Sequence, residues 1–379
     1  MLLLKNATIY PQTDAAPFVG DSLCDGGKIV KIGTGLTAEA ETLDLTGLHL
    51  LPGLIDCHTH ISLQDPCNPR GLKQITETTH PVTPQFSSLY NANPTVLYFP
   101  FAVKNGVTTV GIIPGSGNVI GGSGFASKTW GDDIFAMSIR DNICMKAALG
   151  ENPKGRYQSA GKEPDSRMGA TFLLAEFLQD AYDYFKRKEA GDKELKWNAK
   201  FEAAIPLFKG EIPLRIHCTH NDMASAIQIA TEFGIKFTLE HAWGSMCYLD
   251  EIVDSGCGIV YGPIGGRRSF YESRRTDIEA AGVLDQRGVV VALTTDSPIL
   301  GFDGLLNEVE EAVREGADPL RAMRMVTINP AKILGVEDRV GSVEVGKDAN
   351  FAIFNAIPGV DMCAHVVYTV CEGVIAYQD

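Results

Sequence analysis

The hydrophobic pattern of this chain changes near residue 50 and again near residue 336. Residues 1–50 alternate short β-type runs such as LLLKNATIY and KIVKIG with Gly and Asp turns. Residues 336–379 return to this pattern in FAIFNA and HVVYTVCEGVIAY. Such alternation is typical of strands with one buried face. We therefore predict that 1–50 and 336–379 combine in one small composite β-sandwich domain.

The central residues, 51–335, have a different pattern. Apolar runs rich in Val, Ile and Thr alternate there with segments of helical spacing, and the runs are GLIDCHTHI, GVTTVGII, ICMKAALG, PLRIHCTH, KFTLEHA, GIVYGPIG and VVVALTTDSP. Strands that are buried on both faces and separated by helices form parallel sheets. An eighth strand within NVIGGSGFASKTWG would complete a (β/α)8 TIM barrel, so the predicted fold class is α/β.

Composition restricts the partners and the compartment. The formal net charge of −14 disfavours binding to nucleic acid or to an anionic membrane surface. The nine cysteines contain no C-x-x-C pair, and the N-terminal run MLLLKNATIYP lacks the features of a signal peptide. We expect a cytoplasmic protein with a small-molecule substrate. A homo-oligomer is expected only because dimers are the commonest assembly.

Metal-ligating residue types recur where the predicted barrel strands end. They are His58, His60, His217, His241 and Asp296. His58 and His60 are two residues apart, so an extended strand projects both to the same side. Active sites of this fold lie at the carboxyl ends of the strands. Any one of these residues alone is readily structural, but five on four strand ends predict a site for a cation such as Zn²⁺, with one or two ions.

Several motifs together resemble the metal-dependent amidohydrolase superfamily. They are DCHTH after an apolar strand, the strand-end His217 and His241, TTDSP, and the ending NPAKILG…GSVEVGKDANFAIF. The segments GVTTV, GGSGFASKTWG and LGENPK are most similar to imidazolonepropionase-like members. The resemblance covers essentially the whole chain. It implies the barrel with its composite sandwich, and a metal site at the five residues named above.

The expected chemistry is hydrolysis of a C–N bond in a small amide or cyclic amide. A divalent cation lowers the pKa of its water toward about 7 and so provides hydroxide at neutral pH. Asp296 would act as general base and then as general acid, while His241 would hold a second metal or polarise the substrate carbonyl. Two alternatives stay open: a deaminase that attacks a ring amidine, and a non-catalytic scaffold protein.

Two positions bear on details of this site. Relatives of the subgroup often carry H-x-H at the fifth strand, but here Thr219 stands at the second position and His220 follows. His220 is either a substrate or ligand contact or a loop residue. Some superfamily members carboxylate a lysine on the fourth strand to bridge two metals, and Lys146 occupies a candidate fourth strand. The alternative, an exposed or ion-paired Lys146, is the preferred interpretation from sequence.

Basic residues near the expected barrel rim suggest contacts with an anionic substrate. The glycine-rich segment 115–124 departs from G-x-G-x-x-G spacing, which favours a tight loop over a nucleotide site, and Lys128 follows it. Arg267 and Arg268 lie in the arginine-rich segment 262–275. Arginine binds carboxylates with two-pronged geometry, so these two residues are candidate substrate contacts. The alternative for all three is solvated surface charge.

Overall fold

The structure is a computed structural model that describes residues 1–64, 74–264, 272 and 275–379. Its strands are β1 (Leu2–Ile9), β2 (Phe18–Asp25), β3 (Lys28–Gly33), β4 (Glu41–Asp44), β5 (His49–Pro52), β6 (Leu54–Thr59), β7 (Val107–Ile112), β8 (Ile120–Lys128), β9 (Ser138–Ala148), β10 (Leu214–Cys218), β11 (Phe237–His241), β12 (Gly258–Tyr261), β13 (Val291–Leu293), β14 (Phe351–Phe354), β15 (Val366–Cys371) and β16 (Val374–Gln378).

The helices follow mainly between the barrel strands. They are α1 (Tyr98–Lys104), α2 (Ile134–Met137), α3 (Glu151–Gln158), α4 (Arg167–Glu189), α5 (Ala199–Phe208), α6 (Met223–Glu232), α7 (Leu249–Ser255), α8 (Ala280–Gln286), α9 (Gly304–Arg314), α10 (Pro319–Arg324) and α11 (Ile328–Leu334), with 3-10 turns at Ser88–Asn91 and Ser245–Tyr248. Among the described residues, no helix has the length and apolar character needed to cross a membrane.

The two ends of the chain pair in one sheet. Its order is β16-β15-β14-β5-β1-β2-β3, and β4 pairs with β1. The junction between the ends is the antiparallel pair of β14 and β5, in which Phe351 lies opposite Pro52. Leu4, Ile9 and Ile353 belong to a core cluster beneath this sheet. The sharing of one sheet is thus observed, while the sandwich and the boundaries at residues 50 and 336 stay predictions.

The eight central strands form a second sheet, in the order β6-β7-β8-β9-β10-β11-β12-β13. It is a nearly closed barrel, as the sequence predicted. Side chains link its two end strands, because Asp56 on β6 accepts hydrogen bonds from the backbone N of Thr295 at 3.0 Å and from the hydroxyl of Thr294 at 2.7 Å, just beyond β13. The carboxyl ends of β6 and β13 are therefore held together.

Strand β8 corrects the prediction of a fully parallel barrel. It exists where the sequence placed it, but it runs antiparallel to both β7 and β9. Only residues 113–119 connect β7 to β8. A parallel crossover needs a dozen or more residues, so this short connection forces a hairpin. As a result, β8 starts at the end of the barrel where the other strands finish.

Helix α4 shows how the outer layer packs on the sheet. The hydroxyl of Ser166 accepts a hydrogen bond from the backbone N of Gly169 at 3.1 Å, which caps the first turn. Leu174 and Leu178, four residues apart, are both fully buried. Because residues at this spacing share one helix face, that face packs inward against the core and leaves the polar residues outside.

Candidate functional site

Three predicted ligands converge at the carboxyl ends of β6 and β13. The structure brings His58, His60 and Asp296 so close that one ligand atom from each lies within 4.8 Å of the others. Asp296 Oδ1 is 3.2 Å from His60 Nε2 and 3.9 Å from His58 Nε2. Asp56 contributes to this convergence, since its Oδ1 also accepts the backbone N–H of His58 at 3.2 Å.

Two further histidines extend the group along the neighbouring strands. His241 ends β11, and its ring centroid lies 4.7 Å from that of His58. His217, on β10, places its ring centroid 4.6 Å from that of His241. His217 Nε2 also contacts Asn152 Nδ2 at 3.4 Å. All five residues predicted from sequence therefore lie around one region of the barrel end, and their assignment as metal ligands stays a prediction.

The backbone at two of these residues is left-handed. His241 has φ of 64° and Asp296 has φ of 54°. Non-glycine residues rarely adopt this region, and it is enriched at functional sites because the surrounding structure must impose it. Consecutive side chains of a strand normally point to opposite faces, but the left-handed backbone at His241 interrupts this alternation. Glu240 and His241 therefore both contact His58.

Each of three imidazole rings is oriented by a bond to its Nδ1 atom. His58 Nδ1 lies 2.5 Å from Glu240 Oε2, His60 Nδ1 lies 2.8 Å from the carbonyl oxygen of Ile113, and His241 Nδ1 lies 2.8 Å from that of Gly262. Carbonyl and carboxylate oxygens only accept, so these rings carry their proton on Nδ1. Nε2 is then the atom available to a cation.

Buried polar atoms without partners mark the same place. His58 Nε2, Asp296 Oδ1 and His217 Nδ1 are buried and make no hydrogen bond within the part of the chain that the structure describes. Orphaned buried polar atoms are rare in folded proteins and call for an explanation such as an ion. Two of the three belong to the close group of His58, His60 and Asp296, so this donor set fits a divalent cation of the zinc type.

Electrostatics keeps these groups in the protonation states that a cation requires. Burial lowers the pKa of His58 well below its usual range, and Lys146 adds to this. Burial and the neighbouring His217 lower the pKa of His241 to about 4. Burial by itself raises the pKa of Asp296, but its histidine neighbours outweigh this and hold it well below its usual range. At neutral pH the site therefore presents the neutral imidazoles of His58 and His241 beside the Asp296 carboxylate.

A buried charged pair beneath the histidines was missed by the sequence reasoning. Arg215 on β10 donates to both oxygens of Glu240 on β11, with Nε to Oε1 at 2.9 Å and Nη2 to Oε2 at 2.6 Å. Both side chains are fully buried. Their signal was visible as single charges within the apolar runs PLRIH and FTLEH, because a charge inside a strand buried on both faces needs a partner.

Lys146 is buried, so its environment differs from the one preferred in the interpretation of the sequence. It is neither exposed nor ion-paired within the described residues, and its Nζ donates to the hydroxyl of Ser116 at 3.1 Å. Burial lowers the pKa of this amine to about 8, even though Glu240 and Asp296 raise it. Near neutral pH Lys146 is therefore uncharged far more often than an ordinary lysine, although the charged form still predominates. An uncharged amine is the form that carboxylation requires.

The predicted substrate contacts have different outcomes. The predicted substrate contact at Lys128 is wrong. Because β8 is antiparallel, its last residue, Lys128, lies opposite Thr109 near the start of β7. There Lys128 Nζ pairs with Glu372 Oε1 at 2.6 Å. It therefore lies away from the strand ends that form the site. His220 lies in the turn after β10, beside Gly244. The predicted contacts at Arg267 and Arg268 lie outside the described residues.

A second polar cluster adjoins His217. Arg167 Nη1 pairs with Asp222 Oδ2 at 2.7 Å, and its Nη2 pairs with Glu272 Oε1 at 3.3 Å. Glu272 Oε2 lies 4.0 Å from His217 Nε2. Burial and Glu272 raise the pKa of Asp222 to about 6, although Arg167 lowers it. Sequence reasoning missed this cluster, because its members come from separate loops and helices.

Comparison with known proteins gives similarities over the whole chain. The sequence profile described as "Amidohydrolase family" matches residues 212–376. A crystal structure of an amidohydrolase from Thermotoga maritima superposes with a TM-score of 0.94 at 33% sequence identity, with 100% of both chains covered. The similarity therefore includes the entire fold, with both the barrel sheet and the sheet formed by the chain ends.

Two curated relatives extend this comparison. An imidazolonepropionase from Aromatoleum aromaticum is 26% identical over an alignment of 400 positions, which covers 95% of this chain and 93% of that protein. The amidohydrolase tasK of Hapsidospora irregularis is 25% identical over an alignment of 377 positions, which covers 90% of this chain but only 38% of that protein. The chain thus spans well under half the length of the second relative.

Proposed function

The chain belongs to the amidohydrolase superfamily, close to its imidazolonepropionase-like members, and from this premise we propose a metal-dependent hydrolase of a C–N bond in a small amide or cyclic amide. The observation that carries the proposal is the convergence of His58, His60 and Asp296 within 4.8 Å. The relative from Aromatoleum aromaticum is named for an imidazolone. An imidazolone contains a ring amide, which supports the inclusion of cyclic substrates.

We assign the cation to the Nε2 atoms of His58 and His60 and to the Asp296 carboxylate. Zn²⁺ is the proposed ion because it favours imidazole nitrogen and carboxylate oxygen in a set of this size. When bound, such an ion supplies Lewis-acid chemistry and lowers the pKa of a water molecule toward about 7. His217, His241 and a carboxylated Lys146 are the proposed ligands of a second ion.

Asp296 is the proposed proton carrier. Its carboxylate is ionised at neutral pH because the surrounding imidazoles hold its pKa well below the usual range, although burial opposes this. It can therefore accept a proton from the attacking water. Release of the same proton to the leaving nitrogen would complete cleavage, since an amine leaves far more readily when it is protonated.

His241 is proposed to face the substrate carbonyl when it does not hold a second ion. Its bond from Nδ1 to the Gly262 carbonyl oxygen fixes the ring, with a separation of 2.8 Å. Because the Nδ1 proton is donated to Gly262, His241 can stabilise a developing oxyanion only when Nε2 is also protonated, which the lowered pKa of about 4 opposes at neutral pH. Ligation of a second ion through Nε2 is therefore the role that this geometry favours. The Trp243 ring lies 5.2 Å from the His241 ring and supports it from the loop after β11.

The experiment is a metal analysis joined to a substrate screen. Protein purified without added metal is expected to contain zinc, to lose turnover after chelation and to recover it with Zn²⁺. The screen uses ring amides and N-acyl amino acids, with ammonia measured separately. Amide cleavage without ammonia release supports the proposal, whereas stoichiometric ammonia from a ring amidine identifies a deaminase. Absence of both bound metal and turnover would favour a scaffold role.

A matched pair of variants separates the site from general effects. His60→Ala removes a proposed ligand, so we expect loss of metal and of turnover. His365→Ala removes a histidine whose ring is largely exposed and pairs with Asp379 at 3.6 Å. This control is expected to keep both properties. Equal metal content and turnover in the two variants would reject the assigned site.

A further inference from the structure

Glu240 occupies the centre of a buried network that the proposed mechanism leaves unused. Its Oε2 atom meets His58 Nδ1 at 2.5 Å and Arg215 Nη2 at 2.6 Å. Its Oε1 atom accepts from Arg215 Nε at 2.9 Å and from the Thr238 hydroxyl at 2.5 Å. Arg215 Nη1 also donates to the carbonyl oxygen of Cys57, beside His58, at 2.8 Å. One carboxylate therefore connects β10, β11 and β6.

The direction of the hydrogen bonds determines what this network does to His58. A carboxylate only accepts, so the His58 proton lies on Nδ1 and the lone pair lies on Nε2. His58 Nε2 is the atom that faces Asp296 Oδ1 at 3.9 Å and makes no hydrogen bond among the described residues. The arrangement thus presents the unprotonated nitrogen toward the proposed cation.

Stability alone does not account for the charged pair. Replacement of a buried ion pair by apolar residues of similar volume is often neutral or stabilising, because desolvation cancels much of the attraction. A pair that served only the fold would also need no contact with a histidine of the site. Here the carboxylate oxygen that meets His58 is one of the two held by Arg215.

We infer that Glu240 is a positioning residue, which fixes the tautomer and orientation of His58 for the cation, and that Arg215 fixes Glu240 by its two-pronged contact. The inference rests on the proposed function in one respect, namely that His58 binds a cation. Carboxylates that orient a metal-bound histidine typically contribute about 10–100-fold to metal affinity. The effect is therefore expected in metal binding and in the state of the His58 ring.

The first test measures the His58 ring in the metal-free wild-type protein by nitrogen-15 NMR of labelled histidine. The His58 signals are assigned by their loss in His58→Gln. We expect a neutral ring with its proton on Nδ1. A proton on Nε2, or rapid exchange between the tautomers, would overturn the inference. This measurement needs neither turnover nor bound metal, so its failure is distinguishable from failure of the proposed function.

The second test replaces the pair by apolar residues in the double variant Arg215→Met with Glu240→Leu. We expect a folded protein whose zinc dissociation constant, measured by competition with a chelator, rises about 10–100-fold. The matched control is Asp285→Leu with Arg321→Met, which removes an ion pair of 2.5 Å between α8 and α10. The control is expected to keep wild-type zinc affinity.

Unchanged zinc affinity in a folded double variant would overturn the inference. If that variant does not fold, Glu240→Gln takes its place, because it keeps the side-chain shape and removes the charge. We expect it to weaken zinc binding at least several-fold. Wild-type affinity in Glu240→Gln would likewise overturn the inference.

Discussion

His60 Nε2 lies 3.2 Å from Asp296 Oδ1, where β6 and β13 approach each other at the two ends of the barrel sheet. The separation depends on Asp56, which binds the backbone N–H of both His58 and Thr295. One buried carboxylate thus holds both strand ends. Burial raises the pKa of Asp56, although these hydrogen bonds lower it. The positions of the site residues therefore depend on side-chain contacts between β6 and the residues after β13, as well as on the backbone pairing of the strands.

Asp296→Asn tests the proton-carrier role. Asparagine keeps the shape of the side chain but cannot accept a proton, so we expect kcat on an identified substrate to fall about 10²–10⁴-fold. Zinc content is measured in parallel, because Asp296 is also a proposed ligand. The control is Asp250→Asn, at an exposed ion pair with Arg287, which is expected to keep wild-type kcat. Full turnover by a zinc-loaded Asp296→Asn protein would contradict the assignment.

Lys146→Met tests the carboxylated ligand. The buried amine has a pKa lowered to about 8, so its uncharged form can add carbon dioxide and become an anionic carbamate. We expect about two zinc ions per chain in wild-type protein prepared with bicarbonate, and about one in Lys146→Met. Lys236→Met, at an exposed lysine bound to the Gly210 carbonyl oxygen, is the control. A metal-to-protein ratio that changes neither in Lys146→Met nor after carbon dioxide is removed would contradict a bridging role for Lys146.

The sequence was most informative where burial on both faces makes a strand continuously apolar. The runs that contain His58, His217 and His241 became β6, β10 and β11, in which every residue is buried, as expected of strands covered on both faces. Strand ends of a barrel share one face, and this explains why the histidines converge. Periodicity thus predicted the strands, and topology brought the site residues together.

The remaining errors share a physical origin. Hydrophobic pattern carries no information on strand direction, which for β8 depends on the short connection 113–119. The misplacement of Lys128 follows directly, because an antiparallel β8 carries its last residue to the opposite end of the barrel. Likewise, the charges of Arg215 and Glu240 were visible in sequence, but whether they pair depends on the register between β10 and β11. In that register Arg215 lies opposite Thr238, two residues before Glu240.

Asp222→Asn is expected to change the pH dependence of stability. Burial and Glu272 raise the pKa of Asp222 from 3.8 to about 6, so the folded state binds its proton more tightly than the unfolded state. This contribution favours folding at low pH and is lost as pH rises from about 4 to about 6. The free energy of unfolding of metal-free Asp222→Asn, relative to that of wild type, should therefore rise by about 2–3 kcal/mol between pH 4 and pH 7.5. Urea denaturation at both pH values measures the difference, and a constant difference would contradict the shifted pKa.

Gly244→Ala should cost more stability than a matched glycine substitution. Gly244 has φ of 91°, and a Cβ atom there would collide with the His220 side chain. Gly256 has φ of 66°, and no heavy atom of the described residues lies within 4 Å of a Cβ atom placed there. Left-handed backbone alone costs alanine about 1–2 kcal/mol, and overpacking adds about 1–3 kcal/mol. The free energy of unfolding of metal-free protein should therefore fall by about 3 kcal/mol in Gly244→Ala and by about 1 kcal/mol in Gly256→Ala, as measured by urea denaturation. Equal losses would mean that His220 moves away freely and does not pack against this turn.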